Sequence, residues 1–328
     1  MTRSAILGTG SYVPEKVLTN ADLEKMVDTS DHWIRERTGI RERRVAGPEL
    51  AASDLGIPAA KSALAAAGMD PKDIDLIIFT TLTPDTMCPA AACWLQAGIG
   101  ADKAAAFDLN AACSGFIYGL QAADAYVRSG LMRNVLLVSV DVMTRVIDWS
   151  DRGTCVLWGD GAGAVVLGAA KDGRKGVIDS LIRSDGREAE LIYTAGSGSR
   201  LSPITPQAVQ NHDHTLKMKG QETFKTAVRC FIDVCVETLE RNGMKLSDVD
   251  VFIPHQANLR IIEAVAKRLR LSMDRIIVTV DKYGNMSSAT IPVALDEWVR
   301  EGKIRRGDNV LMAAFGGGLT WGASLVEW

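Results

Sequence analysis

The sequence predicts an α/β fold made of two similar halves packed on each other. Two observations carry this. Short, unbroken apolar runs alternate with helix-patterned segments, as strands do when helices cover both faces of a largely parallel sheet. The chain also repeats itself: GMDPKDIDLIIF from residue 68 aligns with GMKLSDVDVFIP from residue 243 at an offset of 175, and NVLL at 134 aligns with NVLM at 309 at the same offset. Between these, YVRSG at 126–130 resembles WVREG at 298–302. Three matches in one order point to internal duplication. Two such halves would share one core and place a site at their seam.

Taken in order, residues 4–7 read as a strand ending in Gly8-Thr-Gly10. Residues 51–67 are Ala-rich and helical, closed by Gly68. Strands are predicted at 75–80 and 104–109, helices at 89–97 and 114–129, and a further strand at 134–140. Residues 156–158 and 164–167 read as a hairpin around a glycine-rich turn. KDGRKG at 171–176 marks the boundary, giving halves of 1–172 and 173–328, and 184–215 reads as an extended surface segment. In the second half, strands are expected at VDVFIP and IIVTV and before the run of three glycines, with a helix over 257–269.

Composition excludes several classes. Of 328 residues 47% are apolar and 23% charged, enough for a core without disulfides or metal. A net charge of -3 gives no reason to expect nucleic acid. The six cysteines form no CxxC pair and there are only four histidines, so no metal site is expected. The N-terminus lacks a signal-peptide pattern and no run of 18 apolar residues occurs, which predicts a soluble, cytoplasmic protein without membrane insertion.

Three polar residues stand at strand exits. Cys113, in NAACSGF, follows the strand 104–109 at the start of a helix, where unpaired N–H groups and the helix dipole favour a thiolate. His255 ends VDVFIP, and Asn285, in YGNMSSAT, occupies the strand–helix turn of the second half. Singly, each has an ordinary explanation: a buried cysteine, a satisfied core histidine, an asparagine cap. Together they point to catalysis. The glycines of AFGGGLTWG permit close approach of backbone to ligand and an oxyanion-binding N–H, as well as a simple turn. Gly8-Thr-Gly10 lacks the third glycine of a dinucleotide fingerprint, Val13 standing in its place.

WIRERTGIRER, DLNAACSGF, DRGTCVLWGDGAGA, HQANLRI, YGNMSSAT and FGGGLTWG run through nearly the whole chain. In these segments the sequence resembles the β-ketoacyl-acyl-carrier-protein synthase III family of the thiolase superfamily. The resemblance implies a duplicated αβαβα layered sandwich of the thiolase type and a homodimer. It implies no cofactor; a coenzyme A thioester and phosphopantetheine-linked malonate would be substrates, and acyl carrier protein a partner. Cys113 then matches the acylated nucleophile, His255 and Asn285 the pair that assists decarboxylation, and the Cys113 and Gly317 N–H groups the oxyanion hole. Trp33 and Arg152 match residues that sandwich the CoA adenine, with Arg37 nearby. Gly220, Phe224, Ala257 and Asn258 match the pantetheine tunnel.

A basic surface for the acidic carrier is expected at Lys225, Arg260, Lys267 and Arg268. Cys88 stands where several members carry an aromatic residue donated by the partner subunit to the acyl pocket, which suggests room for larger primers, with Met143 contributing. A degradative thiolase would need a second cysteine near the C-terminus, and the last here is Cys235. A specialised ketosynthase of secondary metabolism and a non-catalytic carrier-binding homologue remain as alternatives.

Overall fold

The computed structural model describes residues 3–328 apart from 171, 172, 174 and 197. Among these, five strands build the first sheet: β1 (Ser4–Tyr12), β2 (Leu76–Thr80), β3 (Ala105–Leu109), β4 (Val135–Val142) and β5 (Asp160–Ala169). Their order is β1-β5-β4-β2-β3. β2 runs parallel to β3 and β4, while β5 is antiparallel to both β4 and β1. The second sheet holds β6 (Gly176–Ser184), β7 (Val251–Pro254), β8 (Asn309–Gly316) and β9 (Thr320–Glu327), in the order β7-β8-β9-β6. The pairing pattern is the same: β7 is parallel to β8, and β9 is antiparallel to β8 and β6. The first sheet ends at Ala169 and the second begins at Gly176; the expected boundary at 172/173 touches residues outside those described.

The strands alternate with period two between layers, which is why their sequences are apolar throughout. Ile77 and Phe79 of β2 and Leu136 and Val138 of β4 pack outward on α2 (Ala52–Ala67) and α3 (Ala91–Ile99). Ile78 and Leu137 face inward. The inner layer is α4 (Gly115–Arg128) with α7 (Thr290–Arg300), and the far side of the second sheet carries α5 (Gly220–Arg241) and α6 (Leu259–Leu269). Five layers result, α-β-α-β-α. Outside these layers α1 (Asp31–Thr38) lies near α6, and shorter helices span Asn20–Leu23, Pro206–Gln210 and Val280–Tyr283.

The repeat is visible atom by atom. Asn134 Nδ2 donates to Asp73 O at 2.9 Å, and Asn309 Nδ2 to Asp248 O at 2.9 Å. The carboxylates of Asp75 and Asp250 accept the Asn134 and Asn309 N–H at 3.1 and 2.8 Å. The aspartates that coincide in the two sequence repeats therefore do the same work.

Four expectations are corrected. β1 does not stop at Gly8 but runs to Tyr12, because Gly8 and Gly10 let the strand press on α2; a Cβ on Gly10 would lie 2.3 Å from Ala59 O. The hairpin over 156–167 is absent: Gly161 and Gly163 lie within β5, and Trp158 makes only an isolated bridge to Asn285. The strand IIVTV is reduced to one bridge, Phe252 with Ile276. Buried Gln256 replaces the ladder, its Nε2 donating to Pro254 O and Ile277 O while Oε1 accepts from Thr279 N and Val280 N. The segment 184–215 is not simply extended: it contains turns, a two-residue strand and the short helix Pro206–Gln210. Among the described residues no helix is long and apolar enough to cross a membrane.

Candidate active site

Cys113 lies in a single 3₁₀ turn, Ala112–Ser114, between β3 and α4. Ala112 has φ +47°, and its N–H is held by Asn110 Oδ1 at 3.1 Å. The second half repeats this turn at Ser287–Ala289 before α7: Ser287 has φ +48°, and its N–H donates to Asn285 Oδ1 at 2.9 Å. Asn285 thus corresponds to Asn110, and Cys113 to Ser288, at the offset of 175. With its oxygen committed to Ser287, Asn285 presents Nδ2 as a donor. Its backbone is clamped, N–H to Leu157 O at 2.8 Å and carbonyl to Gly159 N–H at 3.1 Å.

The halves differ in what stands over these turns. Asp141, on β4, accepts from Ser288 N at 3.0 Å and Ser288 Oγ at 2.7 Å. Its equivalent on β8 is Gly316, which offers Cys113 no carboxylate. A Cβ there would lie 2.7 Å from Cys113 N and 3.0 Å from its Cβ.

His255 follows β7, its N–H continuing the ladder to Ala313 O at 2.8 Å. Its ring is buried, with Nδ1 2.6 Å from Thr290 Oγ1. Thr290 Oγ1 also lies 3.1 Å from Ser287 O, so the hydroxyl proton has two acceptors to choose between. Burial pushes the His255 pKa down to about 3, and the imidazole is neutral near pH 7.

Cys113 does not follow the thiolate expectation. Burial pushes its thiol up to about 12, opposed by the neighbouring Ser287 hydroxyl and reinforced by the Asp141 charge. A helix start favours the anion, but desolvation at 7% exposure is the larger effect here.

Cys113, His255 and Asn285 line one cavity of about 690 Å³, with Phe315 beside them. Gly220, Phe224, Ala257 and Asn258 line its walls, and Trp33, Arg37, Lys225 and Arg260 are also among its lining residues. Trp33 carries the Arg152 guanidinium 5.4 Å from its ring centroid and that of Arg37 at 5.9 Å. Arg152 itself is outside the lining and pairs with Asp28 at 3.3 Å. Asn258 caps α6 through Arg260 N and donates to Arg37 O, tying the helix to α1.

The remaining residues lie elsewhere. Lys267 and Arg268 are exposed on α6 outside the cavity. Gly317 opens the turn between β8 and β9 and is not among the lining residues. Met143 is wholly buried in the core and is not among the residues lining this cavity. Cys88 is exposed and is not among the residues lining the cavity of its own chain. Among the described residues no group of three or more His, Cys, Asp or Glu side chains is placed to hold a metal.

Asp141, Ser287, Thr290 and Gly316 were not singled out from sequence. The repeat carried a signal for two of them, since the offset of 175 pairs Asp141 with Gly316.

A five-layered duplicated sandwich with Cys113 and His255 following strands, and Asn285 in the second half's copy of the Cys113 turn, defines a condensing enzyme of the thiolase type. Residues 107–186 match the family described as 3-oxoacyl-[acyl-carrier-protein (ACP)] synthase III, and residues 239–328 match its C-terminal part. The β-ketoacyl-[acyl-carrier-protein] synthase III of Caldanaerobacter subterraneus subsp. tengcongensis is 51% identical over 325 residues, covering 99% of this chain and 98% of the relative. That of Roseiflexus castenholzii is 52% identical with the same coverage. The crystal structure of 3-oxoacyl-[acyl-carrier-protein] synthase III from Aquifex aeolicus superposes with a TM-score of 0.92 at 46% identity, covering 99% of this chain and 100% of the other. The chain belongs to the 3-oxoacyl-[acyl-carrier-protein] synthase III family of acyltransferases.

Proposed function

We propose that the chain condenses an acyl-CoA primer with malonyl carrier protein through an acyl thioester on Cys113. The observation that carries this reading is the convergence of Cys113, His255 and Asn285 on a cavity whose lining also includes Trp33 and the cations Arg37, Lys225 and Arg260. A cavity of that kind suits a pantetheine arm, with cations for its phosphate and an indole and guanidinium (Trp33, Arg152) for an adenine ring.

In the first half-reaction the Cys113 sulfur attacks the primer carbonyl, the CoA C–S bond breaks, and the thiol proton leaves on CoA. The N–H groups of Cys113 and Gly317 receive the carbonyl oxygen's charge. In the second, His255 Nε2–H and Asn285 Nδ2–H donate to the malonyl thioester oxygen. Carbon dioxide departs, and the electron pair of the broken C–C bond forms an enolate. Its carbon attacks the acyl carbonyl, the C–S bond to Cys113 breaks, and the expelled thiolate takes one proton from solvent. A neutral imidazole suits this role when the Thr290 hydroxyl donates to Nδ1, since the ring proton then sits on Nε2.

The proposal extends to a homodimer with halves 1–172 and 173–328 in each chain. β3 is the outer strand of its sheet, and Met87 and Trp94 nearby are 84% and 49% exposed. A second copy covering this edge would also bring Cys88 to the neighbouring cavity. The carrier would dock on Lys225, Arg260, Lys267 and Arg268. A radiolabelled acyl-CoA panel, with and without malonyl carrier protein, tests the reading. Label should load without the carrier and appear in a β-ketoacyl carrier when it is added. Transfer only to another acceptor would favour a specialised ketosynthase.

A further inference from the structure

The buried nucleophile poses a chemical problem: its sulfur must become anionic in a place that disfavours the anion. The titratable groups facing Cys113 do not help, since the Asp141 carboxylate from β4 opposes a thiolate and His255 beyond β7 is neutral. One neutral donor is left. Ser287 is fully buried, and its Oγ meets no partner, sulfur included, at hydrogen-bond geometry. A buried hydroxyl without a partner is costly and calls for an explanation. Its turn packs directly on the turn that carries Cys113. The backbone at Ser287, φ +48°, is one that a non-glycine residue rarely adopts. Its N–H is already taken by Asn285 Oδ1, and its carbonyl is within reach of Thr290. The hydroxyl lies beside both the Cys113 sulfur and the Asp141 carboxylate, favours the anion of each, and holds a settled hydrogen bond with neither.

We propose that Ser287 is a further catalytic residue, whose hydroxyl donates to the Cys113 sulfur and stabilises the thiolate that attacks the primer and the thiolate expelled on condensation. The step adds no reactant, because the Ser287 proton stays on its oxygen while the Cys113 proton leaves on the CoA thiol. The inference rests on Cys113 being the acylated residue.

The test uses the whole protein with Ser287→Ala and Ser287→Gly. Both keep the N–H that orients Asn285, and the second also relieves the backbone, so a loss shared by both belongs to the hydroxyl. Alkylation of Cys113 by iodoacetamide, followed by peptide mass spectrometry against pH, should slow about tenfold or more in both variants, as expected for a lost hydrogen bond to a charged group. Its pH midpoint should move upward, acyl-CoA loading should slow in parallel, and malonyl decarboxylation should change far less. An unchanged pH profile in either folded variant overturns the proposal, as does equal loss of both half-reactions. Failure of the wild type to take an acyl group on Cys113 would instead remove the reading beneath it.

Discussion

Asp141 and Gly316 occupy equivalent places in the two halves, and the difference between them decides which helix start is open. Asp141 accepts the Ser288 N–H and hydroxyl, and also takes the Leu82 N–H and the hydroxyls of Thr81 and Thr83. Gly316 has no side chain to place over Cys113. One turn is thereby sealed as structure and the other left able to receive a substrate oxygen.

Gly316→Ala should therefore disable the site without unfolding the chain. The new Cβ would lie 2.7 Å from Cys113 N, closer than packed atoms come, and the turn must shift. Loss of oxyanion alignment predicts a fall of ~10²-fold in acylation rate. Single-turnover loading of Cys113 measures it, and a wild-type rate would contradict the assignment of this turn.

The buried imidazole predicts a pH dependence of stability. Its pKa falls from 6.5 to about 3 on folding, so the unfolded state binds more protons between those values. Stability should be intact above the upper value and decline as pH falls through the window, by ~1.4 kcal/mol per unit at most for this one group. Urea denaturation of wild type and His255→Gln at pH 6.5 and 5 should differ by ~2 kcal/mol in pH sensitivity, with the variant flatter. Equal slopes would mean that His255 takes up protons in the folded state.

Much of the fold was legible because its signals are local. Strands buried on both faces read as apolar runs, and the repeat fixed the equivalence of Asp75 with Asp250. The missing strand at 276–280 was not legible, because a side chain 20 residues upstream, Gln256, takes its backbone groups. Gly161 read as a turn because the approach of Met286 to β5 is a tertiary fact. Cys113 and His255, which the fold brings to one cavity, were legible from the strands they follow, whereas Asn285 was read from a strand that the fold lacks. The thiol's protonation was not, since burial depends on both halves closing over Cys113.

Charge reversal on α6 should separate the two substrates. Lys267→Glu with Arg268→Glu reverses an exposed face outside the cavity. The KM for malonyl carrier protein should rise about tenfold at low salt, with acyl-CoA loading largely kept and the difference shrinking as salt screens it. Unchanged carrier kinetics at low salt would exclude this surface.

Primer choice tests the dimer. Cys88 is exposed and does not line the cavity of its own chain, so the proposed effect on chain length would act on a second copy. Wild type should accept at least one of isobutyryl-, hexanoyl- and octanoyl-CoA well. Each extra buried methylene is worth ~0.8 kcal/mol while the pocket has room. Cys88→Phe should depress kcat/KM for these primers and spare acetyl-CoA. An unchanged profile would remove Cys88 as the gate.

The central claim is that acyl transfer passes through Cys113. Intact-protein and peptide mass spectrometry of the enzyme incubated with acyl-CoA should find one acyl group, on Cys113, that disappears when malonyl carrier protein is added and β-ketoacyl carrier forms in equal amount. Cys113→Ala should carry no acyl group and make no product. An adduct on another residue, an adduct in the variant, or one that survives the carrier would contradict the account.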